Sequence, residues 1–166
     1  MARLVLDFLG GFQVVLDSHP VTEFKSNKVR ALLAYLAVEA DRPHRREALA
    51  GLLWPERSDR DALSNLRYTL ANLRRTLGDP SAVTPFLLIT HDTIQFNQIS
   101  DHWLDVAELE RQVVEARAQR LVGTDKLESA IALYHGSFLE GFSVGDAAPF
   151  EEWVFLRREQ ITHQVM

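Results

Sequence analysis

Hydrophobic positions change their period along this chain, and the changes mark out its elements. In the first 22 residues, "RLVLDFLG" and "FQVVLD" are rich in β-branched and aromatic residues and are separated by Gly10-Gly11. That pattern predicts two strands across a turn. "DSHPVT" predicts a second turn and a short third strand, with Pro20 at its edge or start, where a missing N–H does no harm. From about Asn27 the spacing becomes helical. Val29, Leu32, Leu33 and Leu36 form one stripe with Tyr35 beside it. "DRPHRREALAGLLWP" predicts a second helix, with Pro43 near its start, Leu49, Leu52 and Leu53 inward, and Pro55 as its stop. Ser58 followed by Asp61 resembles a capping box, so a third helix begins there. Its stripe is Leu63, Leu66, Leu70, Leu73 and Leu77, and Gly78-Asp79-Pro80 ends it. In "PFLLITHDTIQFN", Leu88, Thr90 and Thr93 to Phe96 predict a hairpin turning at His91-Asp92.

Beyond Asp101 the pattern reads as purely helical. One helix carries Leu104, Ala107, Leu109, Val113 and Ala116; a second carries Leu127, Ala130, Ile131 and Tyr134; a third starts at Pro149. Two antiparallel helices with alanines at their contact resemble a helical-repeat unit. Trp103, Phe138, Phe142, Phe150 and Trp153 are read mostly as core. The loop "EGFSVGDAA" is a candidate for exposing Phe142. A helical set this small needs further helices to bury its faces, so the chain is expected to be a fragment of a longer protein. The expected division is residues 1–98 and 99–166.

Charge supports two modules. Over the 166 residues the net charge is −5, yet from Glu23 to Leu77 eleven basic residues face seven acidic ones, a balance of +4. From Ile99 onward six basic residues face twelve acidic ones, or −6. Such asymmetry points to different partners for the two halves. There is no cysteine, which excludes disulfides, thiolate metal sites and a cysteine nucleophile. No apolar run approaches the roughly 20 residues of a membrane span, and the start lacks the pattern of a signal peptide. A cytoplasmic protein without membrane association is expected.

Strands, three helices and a hairpin are the parts of a winged helix, an α+β fold in which the helix before the hairpin enters the major groove. Burying the leucine stripe fixes the rotation of the third helix. Ser64, Asn65, Tyr68, Asn72 and Arg75 then point outward as a set. Asn suits bidentate pairing to adenine, Arg suits guanine or phosphate, and the hydroxyls suit either role. Arg67 and Arg74 lie on the flanks, better placed for phosphates. Arg45 and Arg46 stand beside the unpaired N–H groups that open the second helix, either as a phosphate site or as plain solubilising charge. The whole outward face also fits an ordinary solvated surface.

The stretch from "KSNKVRALLAYLA" through "REALAGLLWP" to "LSNLRYTLANLRRTLGD" resembles the DNA-binding domain of the Streptomyces antibiotic regulatory protein (SARP) family, an OmpR-type winged helix. "FLEGFSVGDAAPFEEWVFLRREQ" resembles the start of the bacterial transcriptional activator domain that follows it in that family. The resemblance implies a transcriptional activator that binds direct repeats in double-stranded DNA near promoters, with helix 59–77 in the major groove. It also implies head-to-tail self-association on DNA, RNA polymerase as a partner, and tetratricopeptide-like pairs in an all-α second segment. In OmpR-type proteins the loop between helices two and three contacts polymerase. Here that loop offers Glu56, Arg57 and Asp59. The wing has His91 and Thr93 available for DNA. It departs from the family's Gly-Tyr-Arg-Leu-like hairpin in reading "HDTIQFN", without an Arg.

Two other classes compete with this one. An enzyme is not expected. The six His residues have no metal-ligand spacing, and there is no G-x-S-x-G, H-E-x-x-H or phosphate loop. No catalytic residue, metal or cofactor is therefore expected. Asp101, His102 and Asp105 form the nearest approach to a site and read instead as an exposed helix start. The stronger rival is a protein-interaction module of a larger signalling protein, with no direct DNA readout, whose acidic half binds a partner helix.

Overall fold

The computed structural model describes residues 3–81, 83–118 and 123–165, without the side chains of 81 and 123–127. Strand β1 (Leu4–Asp7) buries Leu4 and Leu6 and turns Val5 and Asp7 outward. It pairs antiparallel with β2 (Gln13–Leu16), which pairs with the edge strand β3 (His19–Pro20). Gly10 and Gly11 carry positive φ in the first turn, which L side chains adopt only under strain. Asp17 and Ser18 turn the second with φ of 49° and 68°, as tight hairpins require.

Helix α1 (Asn27–Val38) is buried on more than its predicted stripe: Ala31, Ala34 and Ala37 are covered as well. Small side chains on those sides let other elements approach closely. The second helix differs from its prediction. His44 and Arg45 form a short strand, β4 (His44–Arg45), and α2 (Arg46–Leu53) starts only after it. The cause is long-range, because His44 and Arg45 pair with Ile94 and Thr93 of the hairpin. Pro43 thus precedes a strand rather than opening a helix.

Helix α3 (Asp59–Thr76) begins where Ser58 Oγ accepts the Asp61 N–H at 3.2 Å. Its acids, Asp59 and Asp61, lie in the first turn, and Arg74 and Arg75 lie in the last, matching the helix dipole. Leu66, Leu70, Leu73 and Leu77 are buried and Leu63 is half-buried. Ser58→Ala is expected to cost about 1 kcal/mol, seen as a lower midpoint in urea unfolding; an unchanged midpoint would show that the cap contributes nothing. The hairpin β5 (Leu87–Ile89) and β6 (Thr93–Phe96) follows, with the Thr90 N–H donating to the Thr93 carbonyl across the predicted turn. Asp79 also does more than end α3. Its buried carboxylate accepts the Phe86 and Leu87 N–H groups at 2.6 and 3.0 Å, pinning the start of the hairpin.

The second half departs most from expectation. Residues 102–104 are not helical. They form β7 (His102–Leu104), which pairs parallel with β1 and makes the first sheet mixed, in the order β3-β2-β1-β7. The segment after residue 98 is therefore not all-α, and its first strand completes the N-terminal sheet. Helices α4 (Asp105–Ala118) and α5 (Gly123–Leu133) pack on each other, and α6 (Ala148–Val165) packs on α2 and α4. Ala107 and Ile131, expected on inward stripes, are exposed; Leu127 lies outside the described side chains. Phe142 is half-buried, stacked on Phe12 with ring centroids 5.6 Å apart, so the loop does not expose it.

One core runs through both halves, from Leu4 to Ile161. Asp105 lies at their junction. It is 2% exposed, where an exposed helix start was expected. Its carboxylate accepts the N–H groups of Phe8, Leu9 and Val106 at 2.8–3.0 Å. Beside it, the Leu139 N–H donates to the Phe8 carbonyl at 2.7 Å and the Gly10 N–H to the Ser137 carbonyl at 3.0 Å. Gly136 permits this approach, since a Cβ there would lie 2.9 Å from the Gly10 Cα. Further along, Arg157 bridges Glu39, just past the end of α1, and Glu110 of α4, and Trp153 meets the Tyr35 ring edge-on at 4.9 Å. Among the described residues, no helix is long and apolar enough to cross a membrane.

Candidate nucleic-acid interface

The packing of α3 determines what its other side presents. One face packs on α1 and α2, while α6 lies against α2 and α4. The outward line of α3 is Ser64, Tyr68, Ala71 and Arg75, at steps of four, three and four. Tyr68 is 76% exposed, an unusual position for a large ring. Ala71 and Arg75 are exposed as well, and Ser64 is half-buried.

Two flanks border that line. On one, Arg60, Arg67 and Arg74 recur every seven residues, all exposed. Together with Arg57 and Arg75 they make no side-chain ion pair among the described residues. The row is an unneutralised positive stripe. Arg67 opens onto a cleft shared with Arg46, His91 and Asp92, so this flank faces the wing. On the other flank stand Asn65, Asn72 and Thr76. There the Lys25 N–H donates to Asn72 Oδ1 at 3.2 Å. Asn72, Arg75 and Thr76 line a groove against Val21, Thr22 and Glu23.

The remaining predicted residues divide into free and engaged. His91, at the wing tip, has a fully exposed side chain 3.2 Å from the Asp92 carboxylate. Thr93 shares a 2.9 Å hydrogen bond with the Thr90 hydroxyl, which stiffens the turn. Arg45 is exposed and loosely paired with Glu47 at 3.7 Å, a separation at which surface pairs contribute little. Arg46 is committed to structure. Its N–H donates to the Asp92 carbonyl at 3.0 Å, and its guanidinium donates to the Thr90 carbonyl at 2.9 Å. It ties α2 to the wing, and its backbone N–H is not an open phosphate donor. Glu56, Arg57 and Asp59 form an exposed connector held by the Arg57 N–H to the Trp54 carbonyl. Beneath it, Lys28 donates to the Leu53 carbonyl, lies 5.1 Å over the Trp54 ring and pairs with Asp146 at 3.2 Å. Sequence reasoning missed Lys28 as the link between this corner and the second half. Among the described residues no group of three or more His, Asp or Glu is placed to hold a metal ion.

No protein-family model matches the chain. Over 85 residues it is 35% identical to the transcriptional regulatory protein EmbR of Mycobacterium bovis and, equally, to that of Mycobacterium tuberculosis. The match takes in 49% of this chain and 22% of the relative. In structure it is similar to Mycobacterium tuberculosis EmbR in complex with a low-affinity phosphopeptide. The TM-score is 0.74 at 26% identity, over 99% of this chain and 44% of that one. The chain spans less than half the length of the relatives it matches. Similarity in both sequence and fold to a mycobacterial transcriptional regulatory protein supports the reading of this chain as part of a SARP-like regulator with a mixed α/β architecture.

Proposed function

We propose that this chain is the DNA-binding part of a bacterial transcription activator, acting in the cytoplasm and not as an enzyme. Helix α3 enters the major groove of duplex DNA, and the β5–β6 hairpin follows the neighbouring backbone. Arg67, Arg74 and Arg75 neutralise phosphates, with Arg45 and His91 at the margins and Thr93 at the base of the wing. Ser64, Asn65 and Tyr68 stand at the base edges. The sites are direct repeats near promoters, occupied head to tail, and Glu56, Arg57 and Asp59 face RNA polymerase.

The observation that carries this reading is the combination of unpaired guanidinium groups with a large exposed aromatic on one helix face beside a hairpin. A merely solvated helix would balance its charges with i,i+3 and i,i+4 pairs, as Arg111 does with Glu108 and Glu115 on α4. The seven-residue spacing of Arg60, Arg67 and Arg74 instead follows one groove wall. The test is selection of a preferred duplex from a random pool, followed by the double variant Arg67→Ala/Arg74→Ala. That variant is expected to weaken binding to every sequence alike and to flatten the log–log salt dependence by about 2. Failure to bind any duplex at low salt would remove the proposal.

A further inference from the structure

Within that DNA-binding reading, the geometry points to Tyr68 and Ala71 as readers of thymine through its 5-methyl group, with Asn72 positioning the helix instead of reading a base. Sequence spacing alone puts Asn72 on the outward face, where its amide suits adenine. Bidentate pairing to adenine needs both the amide oxygen and the amide N–H₂ directed at one base edge. The oxygen of Asn72 instead holds the Lys25 N–H, 47 residues away along the chain. That bond fastens the last turns of α3 to the loop preceding α1.

The line opposite the buried leucines has different chemistry. Tyr68 and Ala71 are three residues apart, hence neighbours on the helix surface, and both are exposed. They present a ring and a methyl, two apolar groups side by side on an otherwise polar face. In the major groove only thymine offers an apolar group. Burying a thymine methyl against them removes apolar surface from water on both sides, and no other base gives that gain. Arg67, one flank over, and Arg75, one turn on, supply the charge that holds the helix against the backbone while the apolar pair makes its contact.

Replacing thymine with uracil deletes the methyl and leaves the base pair intact, so it tests this contact by itself. In the duplex selected by the whole chain, each thymine is replaced in turn and affinity is measured. One or two positions are expected to weaken binding by about threefold to fivefold. Tyr68→Ser, a change at an exposed position, should abolish the uracil effect at one of them. Asn72→Ala should lower affinity for all duplexes and shrink the uracil effect, without relaxing preference at any base pair that shows no uracil effect; simple loss of folded protein would leave the uracil ratio unchanged. Absence of any uracil effect in the wild-type chain, or relaxed selection in Asn72→Ala at an A·T pair that shows no uracil effect, would overturn the assignment while leaving DNA binding intact. Failure to bind any duplex would instead overturn the DNA-binding reading, and this assignment with it.

Discussion

Asp105→Ala is expected to destabilise the fold by about 2–5 kcal/mol, measured by urea unfolding at neutral pH. The carboxylate accepts from Phe8 and Leu9, neither of which has solvent to turn to: the residues are 0% and 4% exposed. Removing the acceptor leaves these two N–H groups, and the buried Val106 N–H at the start of α4, without a partner, each costing about 1–3 kcal/mol where water does not reach it. The damage also spreads. Phe8 and Leu9 continue β1 into the contact with Phe138 and Leu139, where Leu9 bridges Phe138. Losing Asp105 loosens the joint between the sheet and the second half. A loss below 1 kcal/mol would show that water reaches these groups.

The same burial gives the residue a pH signature. Desolvation drives its pKa up to about 6 from 3.8, against the pull of the Phe8, Leu9 and Val106 N–H groups; the nearby Asp7 charge pushes it further up. The folded pKa lies above the unfolded one. The stabilising contribution is therefore complete below about pH 4 and is lost as pH rises through about 6. A rise of that size corresponds to roughly 3 kcal/mol. Asp105→Asn has no proton to lose, so the stability gap between wild type and this variant should narrow by about that amount from pH 4 to pH 7. A gap that stayed constant would show that Asp105 titrates normally.

Asp105 also illustrates which parts of this protein the sequence makes legible. Elements specified by local chemistry read correctly. The leucine stripe fixes the inward side of α3, Ser58 starts the helix, Gly78 ends it, and the turn at His91-Asp92 closes the hairpin. What did not read depends on partners far along the chain. "HWL" is three residues long and directly precedes a helix; it becomes a strand only because β1, nearly a hundred residues earlier, offers it a parallel edge. Asp105 looks like a surface helix start until Phe8 and Leu9 are placed over it. Arg46 looks like a free cation until the wing folds back to its guanidinium. Asn72 belongs to the same class, since its spacing specifies a direction but not the Lys25 N–H that lies there. Arg67 and Arg74 read as a flank because their spacing is purely local, but Arg60, which completes the seven-residue row, is picked out only by its exposure on the folded helix.

Raising salt from 50 to 200 mM is expected to weaken duplex binding by about three to four powers of ten. The chain is acidic overall, with a net charge of −5, so binding must come from local charge. Arg60, Arg67, Arg74 and Arg75 on α3 and Arg45 beside the wing supply that charge without strong intramolecular pairs to break. If roughly 5–8 phosphates are neutralised, the log–log slope is about −5 to −7. The acids of α4, which does not pack closely on α3, act against this at longer range than the stripe itself. At 0.1 M salt the Debye length is about 10 Å, so charges beyond that reach are largely screened while the stripe in contact is not. Below about 0.01 M that length reaches 30 Å, the acidic half repels DNA, and the slope should flatten. A steep slope that eases at very low salt is therefore the signature of this particular charge arrangement. A shallow slope throughout, near −2, would mean that few phosphates are touched and that the arginine stripe is solvated surface. The protein-interaction reading would then take over.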